Sequence, residues 1–226
     1  MRSTPRGLQA LVDEHVARWE LARRRRGDEH RDPCVALSRL PGSGGAELGK
    51  RVAEQLAFTF FGIEIVDRIA KEENVPRELL EGLDERVRTT IDRYVLDAAR
   101  DFTEGDYLKK VVRTIATLAE RGGVVFLGRG SAFVLSPERA LRVLVVAPRE
   151  QRLERLAKAE DLDPDRARAR LDHEEEVRRE FHRHHFQRDP DDPSAYDLIV
   201  NTGTLGMDLA AGLVAETVRK RFAVAQ

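Results

Sequence analysis

A single cysteine in 226 residues leaves no partner for an internal disulfide, which fits a reducing compartment. Cys34 opens an apolar run and therefore reads as a buried thiol rather than a reactive one. Long apolar stretches are also missing. Nothing approaches the roughly 20 residues a membrane helix needs. Asp13 and Glu14 fall where a signal peptide would need an unbroken apolar core. The expectation is a soluble, cytoplasmic protein with no membrane partner. The chain lacks a dominant charge as well: 39 basic residues face 40 acidic ones. No global basic field advertises nucleic-acid binding, so any anion site must be local. Neither an internal repeat nor a low-complexity tract is present. At 41% hydrophobic composition the chain is long enough to bury a real core.

Periodicity supplies the organisation. Leu8, Leu11, Val12, Val16 and Trp19 recur at three- and four-residue steps, predicting a helix over residues 6 to 26 with one apolar stripe. It ends in Arg23, Arg24, Arg25 and Arg26, a solvated end that complements the helix dipole. The stripe should pack on the main domain or on a second subunit, the latter giving a homodimer through this helix. Residues 1–32 are taken as helix plus linker and 33–226 as one domain. Short apolar runs at "CVAL", "FTFF", "VVFLGRG", "LRVLVVAP" and "YDLIVNT" read as strands, the later ones buried on both faces. Helical patterns fill 45–57, 64–121, 149–186 with a break near Pro164, and the closing stretch after residue 203. This alternation predicts a doubly wound parallel α/β sheet, with a helical insertion at about 63–122 and a lid at about 158–190.

"SRLPGSGGAELGK" has the layout of a phosphate-binding turn between a strand and a helix, yet the lysine is missing. Gly45 stands where the lysine should be, Ala46 where a magnesium-binding hydroxyl should be, and Arg39 at the first glycine. Main-chain N–H groups of Gly42, Ser43, Gly44, Gly45, Ala46 and Glu47 remain able to converge on phosphate oxygens at a helix N-terminus. A plain strand-to-helix turn is the alternative. Arg39 at the strand end is the candidate for the missing charge, although its planar fork differs from an ammonium point charge. Without the hydroxyl at Ala46, no metal site built from protein ligands alone is expected.

"GRG" at 128–130 ends a strand and aims Arg129 into the crevice at the carboxyl ends of the strands. Arg152, Arg155, Arg166, Arg170, Arg178 and Arg179 crowd the last long helical stretch. A lid of that kind brings guanidinium groups over a transferring phosphoryl group and excludes water. In "HRHHF", His182 and His185 sit three apart without a third ligand, so they read as solvated helix residues.

"SRLPGSGGAELGKRVAEQL", "FLGRGSAFVL", "VLVVAPREQRLERL" and "YDLIVNTGTLGMDLAAGLV" together resemble the cytidylate kinase-like family of bacterial P-loop proteins, from about Cys34 to Phe222. The resemblance implies a P-loop three-layer α/β/α fold with a five-stranded parallel sheet. It also implies phosphoryl transfer from ATP, with Mg2+ carried by the nucleotide, to a nucleoside monophosphate or similar small acceptor. The family's turn reads S-R-x-x-G-S-G-G, which makes Gly45 a shared trait. By the same resemblance Arg39, Arg129 and Arg178 are the catalytic candidates, Arg129 holding the acceptor phosphate and Arg152 and Arg170 serving the lid. Glu175, Arg178 and Phe181 follow the family's acid–arginine–aromatic spacing, and Asp84 and Glu85 keep its "LDE". Two positions depart from it. Gly130 replaces an aspartate, and Gly62 replaces another, leaving that carboxylate role to Glu64 or Asp67. These departures keep two other readings open: a nucleotide-binding regulatory protein without catalysis, and a kinase of a non-nucleotide acceptor.

Overall fold

A computed structural model describes residues 8–26, 31–71, 89, 91, 92 and 106–223. Its strands are β1 (Cys34–Arg39), β2 (Thr59–Phe61), β3 (Val124–Leu127), β4 (Ala140–Val146) and β5 (Leu198–Asn201). The helices are α1 (Leu8–Arg26), α2 (Gly45–Leu56), α3 (Ile63–Lys71), α4 (Asp106–Arg121), α5 (Ser131–Val134), α6 (Arg149–Glu160), α7 (Pro164–Phe186), α8 (Thr202–Leu205) and α9 (Met207–Phe222). The five strands lie in the order β2-β3-β1-β4-β5 and every pairing is parallel. β1 is central, in register with β3 from Cys34↔Val124 and with β4 from Cys34↔Ala140 through Arg39↔Val145. The chain leaves β1 on one side and returns across it between β3 and β4, so the crevice at the carboxyl ends opens beside Arg39.

Side chains along β1 alternate between two cores. Cys34 and Ala36 join Val12, Phe61, Ile115 and Phe126 on one face, whereas Val35 and Leu37 join Leu48, Val52, Val143 and Val214 on the other. A strand buried on both faces shows no polar alternation, and for that reason the sequence presents it as an unbroken apolar run. In α2, Leu48, Val52, Ala53 and Leu56 form the buried stripe at helical spacing. Fully burying each leucine or valine contributes about 1.5–3 kcal/mol, and this holds the turn before α2 against the sheet. Burial drives the Cys34 thiol pKa up to about 12, so it stays protonated.

Two expectations need correcting, and a third falls largely outside the described residues. The last strand is an edge strand, and Ile199 is 44% exposed rather than buried. The closing helical pattern is two helices, because Gly206 at φ +74° and ψ +166° breaks it. The insertion between β2 and β3 is described only in part; "PRELLEGLDERVRTTIDRYVLDAARDF", including Asp84 and Glu85, falls outside the described residues apart from 89, 91 and 92.

α1 packs on its own domain. Val12 and His15 are fully buried, the His15 ring meets Phe61 edge-on at 5.6 Å, and Arg121 lies 4.4 Å from the Trp19 ring centroid. Arg18 donates to the Ala57 and Phe58 carbonyls at 2.9 and 3.0 Å. Val12 and Val16, two residues of the stripe that motivated a homodimer, thus pack against the core of their own chain. Burial, helped by the charge of Arg121, lowers the His15 pKa to about 4, and burial lowers that of His182 likewise to about 4. Between pH 6.5 and 4 the unfolded chain binds protons that the folded chain refuses. Stability is thus full above pH 6.5 and falls on acidification through that window, by about 1.4 kcal/mol per pH unit for each histidine. Melting curves from pH 7 to 4.5 should fall steeply for the native chain and less steeply for His15→Leu; equal slopes would contradict a neutral buried His15.

Candidate active site

The turn after β1 is built by backbone bonds and held by side chains from three later elements. Leu40 N–H donates to the Val145 carbonyl at 3.0 Å, and Ser43 N–H to the Leu40 carbonyl at 3.1 Å. Gly42 and Gly44 take φ +74° and +80°, the left-handed region that favours glycine. A Cβ on Gly42 would stand 2.5 Å from the Arg152 carbonyl oxygen. Arg152 is buried and donates to the Ala147 and Pro41 carbonyls at 3.0 and 3.3 Å, and to Glu175 of α7 at 2.5 Å. Thr202 donates to the Ser43 carbonyl at 2.6 Å and accepts from Arg155 at 3.0 Å. The carbonyls of Pro41 and Ser43 are thereby pinned. Gly44 at the N-cap supplies no side-chain cap, so the first-turn amides of α2 stay open to an anion. Ala46 and Glu47 are exposed at this turn, Glu47 pairing with Arg51 at 2.7 Å.

Gly45 and Arg39 are sterically linked. A Cβ on Gly45 would lie 2.8 Å from Arg39 Cβ and 3.0 Å from its Cγ. Arg39's stem therefore fills the space in which a side chain at 45 would begin. Its guanidinium extends across the crevice, with Nη1 3.5 Å from where a Cβ on Gly128 would be. Burial first, and then the charges of Arg178 and Arg129, depress the pKa of Arg39 from the ordinary arginine value. Among the described residues no carboxylate lies within ion-pair distance of Arg39. A half-buried cation that Glu174 and Glu64 stabilise only from beyond ion-pair distance costs free energy that an incoming anion recovers.

Arg129 is presented by a left-handed turn: Gly128, Arg129 and Gly130 have φ of +73°, +51° and +71°. A non-glycine residue held in that region carries strain, of order 1–3 kcal/mol in the less favourable cases. Asp67 of α3 fixes the side chain, with Nε donating to Oδ1 and Nη2 to Oδ2, both at 2.5 Å. Tyr107 of α4 donates to the same Oδ1 at 2.7 Å. The Arg129 guanidinium also lies 5.2 Å from the Phe181 ring centroid. Burial opposes the charge on Arg129, but Asp67 and Tyr107 outweigh it and raise the pKa. Glu64, exposed in the first turn of α3, sets Oε2 3.2 Å from where a Cβ on Gly62 would be. Its carboxylate thus borders the place of the aspartate that Gly62 lacks.

The arginines expected to serve a lid are held by carboxylates. Arg178 is buried and donates to Asp191 at 2.5 Å, the Pro190 carbonyl at 2.8 Å and the Ser38 hydroxyl at 3.2 Å, while its Nε has no partner. Arg179 bridges Asp191 and Glu175 at 3.3 Å each. Arg170 pairs with Glu160 and Glu174 at 3.3 and 2.9 Å, and Arg166 with Asp163 at 3.3 Å. The histidines differ from expectation. His182 is buried, not solvated, with Nδ1 2.7 Å from the Arg178 carbonyl and its ring against Phe133 and Phe181. His185 is half-buried against Phe181. Its pKa is lowered by burial and by the charges of His184 and Arg129. The sequence reading brought Arg39, Arg129 and the turn together, but missed Tyr107, Thr202 and the anchoring role of Arg152.

The profile of the cytidylate kinase-like family matches residues 34–204. A cytidylate kinase from Methanopyrus kandleri is 29% identical over 185 residues, covering 77% of this chain and 86% of that protein. One from Aeropyrum pernix is 28% identical over 189 residues, covering 82% of this chain and 98% of its own length. In structure, an uncharacterized protein from Eubacterium ventriosum superposes with a TM-score of 0.66 at 18% identity, over 84% of this chain and all of that one, a likeness of fold.

One contact in this region is directly testable. A Cβ on Gly130 would lie 2.0 Å from Phe186 Cζ, at a backbone φ of +71°. Gly130→Ala should destabilise the fold by about 2 kcal/mol or more. Adding Phe186→Leu should recover part of the loss in a double-mutant cycle. Additive losses in chemical denaturation would show that the ring does not set the limit.

Proposed function

Because the chain belongs to the cytidylate kinase-like family, we propose that it is a phosphotransferase that moves the γ-phosphoryl of ATP to a nucleoside monophosphate or a similar small acceptor. The observation carrying this reading is the Arg39 guanidinium at the mouth of the glycine turn, which among the described residues has no carboxylate within ion-pair distance, with Gly45 leaving it room. Amides at the start of α2 would hold the donor phosphates, and magnesium would arrive with the nucleotide, since Ala46 offers no oxygen ligand. Arg39 would stabilise negative charge on the oxygens in flight, the part a loop lysine plays elsewhere. Arg129 would anchor the acceptor on the opposite wall. Among the described residues Glu64 is an unpaired carboxylate beside the place left open by Gly62.

Two features support the competing readings. Arg152, Arg170 and Arg178 are all engaged by carboxylates. That arrangement suits a nucleotide-binding regulator with a lid that no longer reaches the phosphates. Phe186 fills the space beside Gly130, which suits an acceptor other than cytidylate.

Transfer assays with ATP, Mg2+ and a panel of nucleoside monophosphates separate these. The phosphotransferase reading predicts diphosphate formation on at least one acceptor. It also predicts a loss of about 10²–10³-fold in kcat for Arg39→Ala, with ATP binding weakened far less. Nucleotide binding with no turnover on any acceptor supports the regulator, and turnover confined to a non-nucleotide supports the third reading.

A further inference from the structure

Arg129 meets Asp67 through only one of its two edges, and what the other edge can do follows from the geometry. A guanidinium carries five N–H donors in a plane. Asp67 accepts the Nε proton and one Nη2 proton, leaving the remaining Nη2 proton and both on Nη1. One proton on each Nη faces the end of the fork, the arrangement that accepts two oxygens of one anion side by side. Phe181 lies against the group at 5.2 Å, so approach in the guanidinium plane is favoured.

We infer that Asp67 and Tyr107 are positioning residues: they fix Arg129 so that its free terminal edge receives one oxyanion of the acceptor, end-on, without displacing Asp67. The inference rests on reading the crevice as a phosphotransfer site. The acceptor group in question is a phosphate monoester or a carboxylate, two anions that share this fork geometry. Asp67 neutralises part of the field of Arg129, so it does not add attraction for the anion. It supplies direction. Tyr107 completes the set by donating at 2.7 Å to Oδ1, which restricts rotation of the carboxylate. Asp67 comes from α3 and Tyr107 from α4, so the insertion between β2 and β3 sets the angle of the acceptor anchor. Because burial and Asp67 raise the Tyr107 pKa to about 12, this donor does not titrate near neutrality.

Orientation and attraction separate kinetically. Replacing Asp67 by Asn keeps the shape, removes the counter-charge and weakens the hold on Nε. With ATP and the same panel of monophosphates, Asp67→Asn should lower kcat about 10- to 100-fold, and Tyr107→Phe should lower it by less. Acceptor KM should stay within about threefold, and ATP affinity should not change. An unchanged kcat overturns the inference, as does an acceptor KM that rises in step with the loss. A second readout needs no turnover. The Nε–H proton of Arg129, assigned by its absence in Arg129→Lys, should give a protected NMR resonance that persists when inorganic phosphate or acetate is added. The same signal should be lost in Asp67→Asn. If either anion abolishes it in the native chain, Asp67 is displaced and the inference fails, whatever the activity. A native chain that transfers to no acceptor yet keeps the resonance contradicts the function proposed above, not the role of Asp67.

Discussion

Two carbon atoms cannot approach to 2.8 Å, and that limit between position 45 and the stem of Arg39 organises this site. A phosphate turn with its charge at the helix start needs a side chain on the residue that is glycine here. A turn with its charge at the strand end needs that side chain gone. The missing lysine and the arginine six residues earlier are thus two aspects of one arrangement. Under the function proposed above, the turn would carry its cation on the strand wall of the mouth rather than on the helix wall.

The remainder of the molecule makes that relocation workable. β1 is central and paired on both sides along most of its length, so Arg39 leaves from a fixed backbone point. Arg152 and Thr202 hold the carbonyls of Pro41 and Ser43, which keeps the turn from collapsing onto its own amides. The neighbouring guanidinium groups would repel Arg39 if they were bare. Asp191 balances Arg178, Glu175 balances Arg152, and Asp67 balances Arg129. Among the described residues Arg39 has no carboxylate within ion-pair distance, and Arg155, whose Nη1 lies 3.5 Å from where a Cβ on Gly44 would be, donates only to Thr202. These are the positive charges an incoming polyphosphate would meet under the proposed function.

Much of this is legible in the sequence. Apolar runs bounded by glycine gave the strands, and the glycine turn between a strand and an amphipathic helix marked the mouth. Other features were hidden for physical reasons. His182 looked solvated because α7 is dense in charge, yet Leu171, Arg178, His182 and Phe186 share its buried stripe. Two polar members masked a pattern that spacing alone would have revealed. His15 was concealed on α1 in the same way. Phe186 fills the place beside Gly130 from 56 positions further along, and Tyr107 reaches Asp67 across 40. Pairings over such separations leave no local signature. The lid arginines looked available for catalysis because a sequence shows which charges are near in the chain, not which are already neutralised in space.

The most direct test is a crystal structure with a non-hydrolysable ATP analogue and magnesium. The predicted result is the triphosphate on the amides at the start of α2, with an Arg39 nitrogen about 3 Å from a β- or γ-phosphate oxygen. A triphosphate bound in the turn with Arg39 pointing away, and its charge met by another residue, would contradict the account.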